Sequence, residues 1–325
     1  MYRYLARRLA QSLLVIFGVM TLTFFALQAG GDPTYLYISE HATQQEIAAT
    51  RHRLGFDLPI YVQYWNYLTH AAQGDFGASL TARVPAFPFV LQRLPATIEL
   101  TLAAIFISTA VAIPIGIMAA LNRGRALDGC IMVLAMFGQS MPSFWLGIMF
   151  ILVIGVRFKG LPISGYVPIL QPLFSGDFKT LLSTFPDAIR HLLMPALTTA
   201  VFSLARNARL VRSVMLEALS QDYIRTARSK GLRERRVVWR HALPNVLIPL
   251  VTLLGLEFGF LLSGVVVVET VFSWPGVGRL VFNAINQRDI PVVQASVIVF
   301  SIVFVGLNLL TDLIYVQLDP RIKLN

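Results

Sequence analysis

Residues 217–245 read EALSQDYIRTARSKGLRERRVVWRHALPN, and ten of these 29 residues are Asp, Glu, Lys or Arg in a chain that is 56% hydrophobic and only 14% charged. A soluble protein is about 25% charged. The long charged insert therefore stands out against an oily background and asks for a purpose. Taken as a helix, Tyr223, Ile224, Ala227 and Gly231 fall on one arc, while Arg225, Arg228 and Ser229 face away. Gly231 suits a helix stop that turns the chain. LRERRVVWRHALP then reads as a second short amphipathic piece, and Pro244 opens the next apolar run, where a missing N–H is tolerated. Four readings stay open: a helix on anionic lipid, a solvated loop, a basic helix reading DNA, and a docking lever for a partner that supplies energy.

Outward from this insert lie apolar runs long enough to cross a bilayer. Six spans are expected, at 9–29, 97–121, 129–157, 191–214, 246–271 and 294–317. This is an all-α membrane protein of the multi-span inner-membrane type. The first run, Leu9–Leu27, is 19 residues, which is about 29 Å of helix against a ~30 Å hydrocarbon core. That is longer than a signal-peptide core, and no A-x-A site follows, so an uncleaved helix is expected. Residues 30–95 form a polar extracytoplasmic segment, 96–317 a core containing the loop 215–245, and 318–325 a tail. The stretch 158–190, with four Pro and three Gly, reads as an ordered loop.

Seventeen of the 27 Lys and Arg fall in the N-terminus, the 122–128 loop, 206–240 and the C-terminus. The positive-inside rule then places both termini and the insert on the inner side. It also accounts for the net charge of +10 without nucleic acid.

Two spans are interrupted, the second more weakly, at Pro114, and the third at Pro142. GQSMPSFWLG, Gly138–Gly147, sets Pro142 after Gln139 and Ser140, and Pro disfavours helix at Met141. Such a break survives in a bilayer only against protein or water. It is either a kink in a packed bundle or part of a pathway. Glu257 lies mid-span, Glu269 near the outer end of its span, and Asp312 near an inner end. A charge at mid-bilayer costs about 2.5–3.5 kcal/mol on insertion scales, so Glu257 should face the bundle or a wet cavity. Gln139, Ser140, Pro142, Glu257 and Glu269 are the pathway candidates.

Catalysis in this chain is not expected. The lone Cys130, five scattered His and absent GxxxxGK[ST] loop offer no metal cluster and no nucleotide site. No nucleophile–base constellation emerges either.

The insert resembles the EAA loop of ABC-importer permeases, with Glu217, Ala218 and Gly231 in the matching places, although EAL stands for EAA and SKG for AKG. The surroundings are similar to the dipeptide/oligopeptide permease family: GDP at 31–33, LGFDLPIYVQY at 54–64, GDFGASL at 74–80 and RLPATIEL at 93–100. PSFWLG at 142–147, ETVFSWPGVGRL at 269–280, RDIP at 288–291 and DPR at 319–321 follow in family order. The resemblance implies a type I importer fold, one leading helix plus a five-helix core, paired with a second homologous permease subunit. It implies two cytoplasmic ATPase subunits that bind ATP and Mg, with no cofactor in this chain, and an extracytoplasmic binding protein that delivers peptide. Glu217, Ala218, Asp222, Tyr223, Ile224, Ala227 and Gly231 would meet the ATPase. Nickel or glutathione import by the same machinery, and an ATP-independent secondary transporter, are the alternatives.

Overall fold

A computed structural model describes residues 2–29, 33–38 and 42–318. The first two residues of GDP, the DPR stretch, the tail beyond Leu318 and the side chain of Asp312 lie outside the described residues. The helices are α1 Tyr2–Gln28, α2 Gln44–Arg53, α3 Ile60–Ala72, α4 Ala86–Leu121, α5 Ala126–Ser140, α6 Ser143–Phe150 and α7 Leu170–Phe174. They continue as α8 Phe178–Ser220, α9 Asp222–Ser229, α10 Glu234–Arg236, α11 Leu243–Gly264, α12 Val266–Val271, α13 Val277–Asn286 and α14 Ile290–Leu318. Two π-helical turns, Ile151–Val156 and Val237–Ala242, extend α6 and lead into α11.

Among the described residues four helices are long and apolar enough to cross a membrane: Ala86–Leu121, Phe178–Ser220, Glu234–Leu261 and Ile290–Thr311. The pair Ala126–Ser140 and Ser143–Val156 makes a fifth span if counted together, although its arms bend by 101°. The leading helix carries the shorter apolar stretch Ala10–Ala26. The bend falls at Met141, which is extended (ψ 130°) as a residue before Pro must be.

The loop expected over 158–190 is corrected. Its breakers cluster before Asp177, whose carboxylate caps α8 by accepting from the Thr180 N–H at 3.1 Å, and the helix then runs 43 residues through Pro186 and Pro195. In a membrane helix, hydroxyl side chains and neighbouring helices can re-satisfy the groups that a proline frees. Prolines that read as loop are thus interior to helix here. In the same way α4 passes through Pro95, where the core was expected to begin.

The described residues divide into two compact units, one of residues up to 94 with 279–306, the other of 95–278 with 307–318. In the first, buried Phe24 of α1 packs on Tyr64 and Tyr67 of α3 at 5.3 and 5.5 Å between ring centroids. Buried Asp289 clamps the GDFGASL segment: Oδ2 accepts from Ser79 Oγ at 2.6 Å and Thr81 Oγ1 at 3.0 Å. In the second unit, Val211 and Met215 of α8 and Val246 and Leu250 of α11 build one apolar core with Ile117 of α4. A further core gathers Leu100, Met194, Leu261, Phe272 and Trp274.

Candidate functional site

The bend falls in the insert where its pattern predicts, after the short helix α9. The second of the two short helices expected is instead the first turns of the long helix Glu234–Leu261, and the apolar arc is already occupied. Ile224 and Ala227 of α9 are buried (0% and 6% exposed) in the chain's own core, with Val211, Met215, Ala218, Val237 and Val238. Ala218, Ile224 and Ala227 therefore do not offer themselves to a partner groove. This corrects the expectation that the arc is the docking face. An amphipathic pattern reports that a face is covered and leaves open which surface covers it. What α9 leaves exposed is Asp222, Tyr223, Arg225, Thr226, Arg228 and Ser229, with Glu217 just before it.

The bend has an atomic cause. Gly231 takes φ +74°, the left-handed conformation that glycine adopts without a steric penalty. Its N–H donates to Arg228 O at 2.9 Å, and the Leu232 N–H donates to Ala227 O at 3.4 Å, a Schellman closure. Arg228 then reaches across the bend to Glu234, with Nη2–Oε1 at 2.6 Å and Nε–Oε2 at 3.2 Å. The Glu234 carboxylate holds the Arg228 guanidinium above its ordinary pKa. Asn245 Nδ2 donates to Tyr223 Oη at 2.9 Å and ties α9 to the start of α11. Pro244 does not begin a separate span. The π-turn before it, in which the Leu243 N–H reaches Val238 O, shifts the ladder and lets helix run continuously from Glu234 to Leu261.

Inside the second unit, three arginines on α8 meet polar partners. Arg212 binds Asp128 at the start of α5 through two bonds, Nε–Oδ1 at 2.6 Å and Nη2–Oδ2 at 2.7 Å. Arg209 donates to Gln139 Oε1, beside the break. Arg206 Nη2 lies 3.2 Å from Glu257 Oε1, and Asn207 Nδ2 donates to Glu257 Oε2 at 3.2 Å. Glu257 is 1% exposed, so its charge is compensated within the protein, as a mid-span carboxylate requires. Polar capacity is left over: Ser203 Oγ, Asn207 Oδ1 and Arg206 Nε are buried without hydrogen-bond partners among the described residues.

The pathway candidates thus separate. Gln139 and Glu257 each meet a polar side chain of α8. Ser140 spends its hydroxyl on Met136 O at 2.9 Å, and Pro142 caps α6 at the bend. Glu269 does not join them. It is fully buried under the SWPGVG turn and accepts from Thr97 Oγ1 at 2.7 Å, and that same oxygen accepts the Val277 N–H at 2.8 Å. A Cβ on Gly276 would stand 1.9 Å from Glu269 Oε1, so only glycine lets the turn close on the carboxylate.

Asp128, Arg206, Asn207, Arg209 and Arg212 were missed as site residues in the sequence. The signal was the spacing of three arginines, each three residues apart, which puts them along one side of a helix. Read only as inside-positive charge, they lose that meaning. No three His, Cys, Asp or Glu side chains come together among the described residues as a metal site.

Comparison with known proteins follows the same lines. Residues 112–324 match the family model "binding-protein-dependent transport system inner membrane component", and residues 1–101 match its N-terminal companion. The di/tripeptide transport system permease protein DppB of Pseudomonas aeruginosa (strain UCBPP-PA14) is 40% identical over 99% of both chains. The dipeptide permease protein DppB of Escherichia coli (strain K12) is 39% identical over 99% of both, as is the glutathione permease protein GsiC of Salmonella choleraesuis (strain SC-B67). Among solved structures, an inward-facing form of the MetNI methionine ABC transporter superposes with a TM-score of 0.55 at 16% identity, covering 71% of this chain and 96% of that one. A second crystal form gives 0.54 at 15% over the same shares. That likeness concerns the fold. The chain is a multi-pass inner-membrane permease and belongs to the binding-protein-dependent transport system inner membrane component family.

Proposed function

We propose that the chain is one of two homologous membrane-spanning subunits of an ATP-driven importer for short peptides. Its termini and residues 217–245 lie in the cytoplasm, and residues 30–95 outside. An extracytoplasmic protein delivers the peptide. ATP is bound with Mg and hydrolysed on two partner ATPase subunits, and this chain contributes no catalytic group. The partner grips the polar face of α9, Asp222, Tyr223 and Arg225, together with Glu217. The arc of Ile224 and Ala227 fastens that grip to α8 and α11.

The observation that carries the reading is this mounting. A helix with its charged side outward is fixed to the core by Ile224, by the Arg228–Glu234 pair and by the Tyr223–Asn245 bond. Such a part transmits force, whereas a solvated loop would not need the anchors. From α8 the displacement passes through Arg212–Asp128 and Arg209–Gln139 to α5, and so to the bend at Met141–Pro142. Arg206–Glu257 sits along the same helix. Peptide as cargo is supported by the full-length likeness to relatives named for dipeptide transport, and glutathione is the second reading on the same ground.

The test is uptake by the whole importer, reconstituted in liposomes with its binding protein. Labelled dipeptide should enter only with ATP on the ATPase side. Glutathione and nickel serve as competitors. Accumulation driven by an ion gradient without ATP would overturn the reading.

A further inference from the structure

The first unit holds a cleft, partly open to solvent, of about 490 Å³, inside the range of roughly 300–1,000 Å³ for small-molecule sites. Phe24 and Phe76 give it apolar wall, and Arg53 and Asp75 line it with opposite charges. Neither charge is fully used. Among the described residues Arg53 has no ion pair or hydrogen bond, and the acid nearest it in sequence, Asp57, is held by His52 at 2.7 Å. Asp75 accepts the Gly77 N–H through Oδ1 at 2.9 Å, and no described donor meets its Oδ2.

Arg53 and Asp75 are exposed and so solvated where the protein leaves them unpaired, but one group in the same wall is stranded. The Tyr67 hydroxyl lines the cavity and is buried without a hydrogen-bond partner. Its burial, with Tyr64 nearby, pushes its pKa up to about 12, so it remains a neutral O–H donor. A buried hydroxyl left without a partner is destabilising unless something meets it. The side-chain amides of Asn66 and Gln294 also line the cavity and are unbonded among the described residues. The frame around these groups is meanwhile rigidly bonded. Gln63 Nε2 donates to Phe56 O at 3.1 Å and Leu58 O at 2.8 Å, and its Oε1 accepts from Gln28 at 2.8 Å.

A site with one free cation, one free carboxylate oxygen and spare amide-type partners between aromatic walls is complementary to a small zwitterion. We propose that this cavity binds a short peptide, its carboxylate on Arg53, its ammonium on Asp75 and its backbone amide on the Tyr67 hydroxyl and the neighbouring amides. The inference rests on the peptide reading above and adds a receiving site on the permease itself, separate from the Arg206–Glu257 cluster.

The experiment uses the assembled transporter in phosphatidylcholine nanodiscs, without nucleotide or binding protein, and measures dialanine binding by calorimetry. Dialanine should bind saturably. N-acetyl-dialanine and dialanine amide, each lacking one terminal charge, should bind at least tenfold more weakly. Arg53→Gln should weaken dialanine at least tenfold and be indifferent to the amide cap. Asp75→Asn should do the same for the acetyl cap. Absence of binding, affinity unchanged in both variants, or displacement of the peptide by phosphatidylethanolamine added to the disc would overturn the proposal. Uptake with binding protein and ATP is measured on the same preparation. Uptake that persists while dialanine fails to bind condemns this cavity alone, and loss of ATP-driven uptake condemns the importer reading instead.

Discussion

The α9 insert and the α8–α11 interior handle charge in opposite ways. In α9 the charges point outward and the apolar side chains, Ile224 and Ala227, point into the core. Between α8 and α11 the charges turn inward: Glu257 is buried and Arg206 is 32% exposed in its side chain. The first arrangement is that of a water-facing part seated on a protein surface. The second is that of ionisable groups inside a bilayer, which face one another or a wet cavity. Two regions of one chain thus reveal their surroundings by which residues each one hides.

The largest effect should come from reversing the first pattern. Ala227→Glu places a carboxylate in an apolar core without a partner, at a cost of about 3 kcal/mol or more. Folded permease should drop in a detergent thermal-shift assay. Arg225→Glu, on the exposed side, should leave the melting temperature within a degree or two and still reduce peptide-stimulated ATPase activity severalfold. Equal melting temperatures for both variants would erase the distinction.

Next comes the link between insert and bend. Asp128→Asn leaves Arg212 without its charge partner, in a pair 7% and 26% exposed by side chain. Loss of a buried pair costs about 3–5 kcal/mol, reduced here to about 1–3 because the arginine is partly solvated. Coupling of ATP turnover to uptake should fall. The exchanged pair, Asp128→Arg with Arg212→Asp, should recover part of it. No recovery by the exchange, with a normally folded protein, would remove this ion pair from the transmission route.

Glu257→Gln tests the second region. The amide can keep the Asn207 contact but leaves Arg206 without a counter-charge. Uptake should change severalfold while the yield of assembled complex holds. Unaltered uptake at limiting and saturating peptide would leave Glu257 a packing residue.

The smallest effect concerns the Asp289 clamp. Burial acts to raise that carboxyl, but hydrogen bonds from Ser79, from the Leu80 and Thr81 N–H groups and from the Thr81 hydroxyl outweigh it and hold the pKa below the usual value. A depressed pKa contributes stability that is fully present above the unfolded value of about 3.9 and is lost as pH falls through the folded one. Hydrogen exchange at residues 79–82 should therefore stay slow down to about pH 4 and accelerate only below it. Asp289→Asn should exchange fast at every pH. Acceleration already at pH 6 in the parent protein would contradict the clamp.

The chain pattern made several features legible in advance. Gly231 and the short helix before it were readable because a glycine after an amphipathic turn has few other uses, whereas the run of helix from Glu234 through Pro244 was not. The break at Pro142 followed from the lost N–H and the strain on Met141. The start of α8 was not readable, because Pro186 looks like loop when the helix around it is unseen. The partners of Arg206, Arg209 and Arg212 were also hidden. Asp128 and Glu257 lie 84 and 50 residues in sequence from the α8 side chains they bind, Arg212 and Asn207. Such long-range pairings follow from helix packing, which spacing along one helix cannot supply.

In the proposed importer the motor grips the polar face of α9, while the apolar face belongs to the permease. A single native cysteine, Cys130, makes site-directed crosslinking practical once it is replaced by serine. Tyr223→Cys, Arg225→Cys and Ala227→Cys would each be paired with cysteines along the ATPase surface in the assembled importer. Crosslinks are expected from 223 and 225, altered by ATP, and none from 227. Crosslinking from 227 as strong as from 223 would contradict that arrangement.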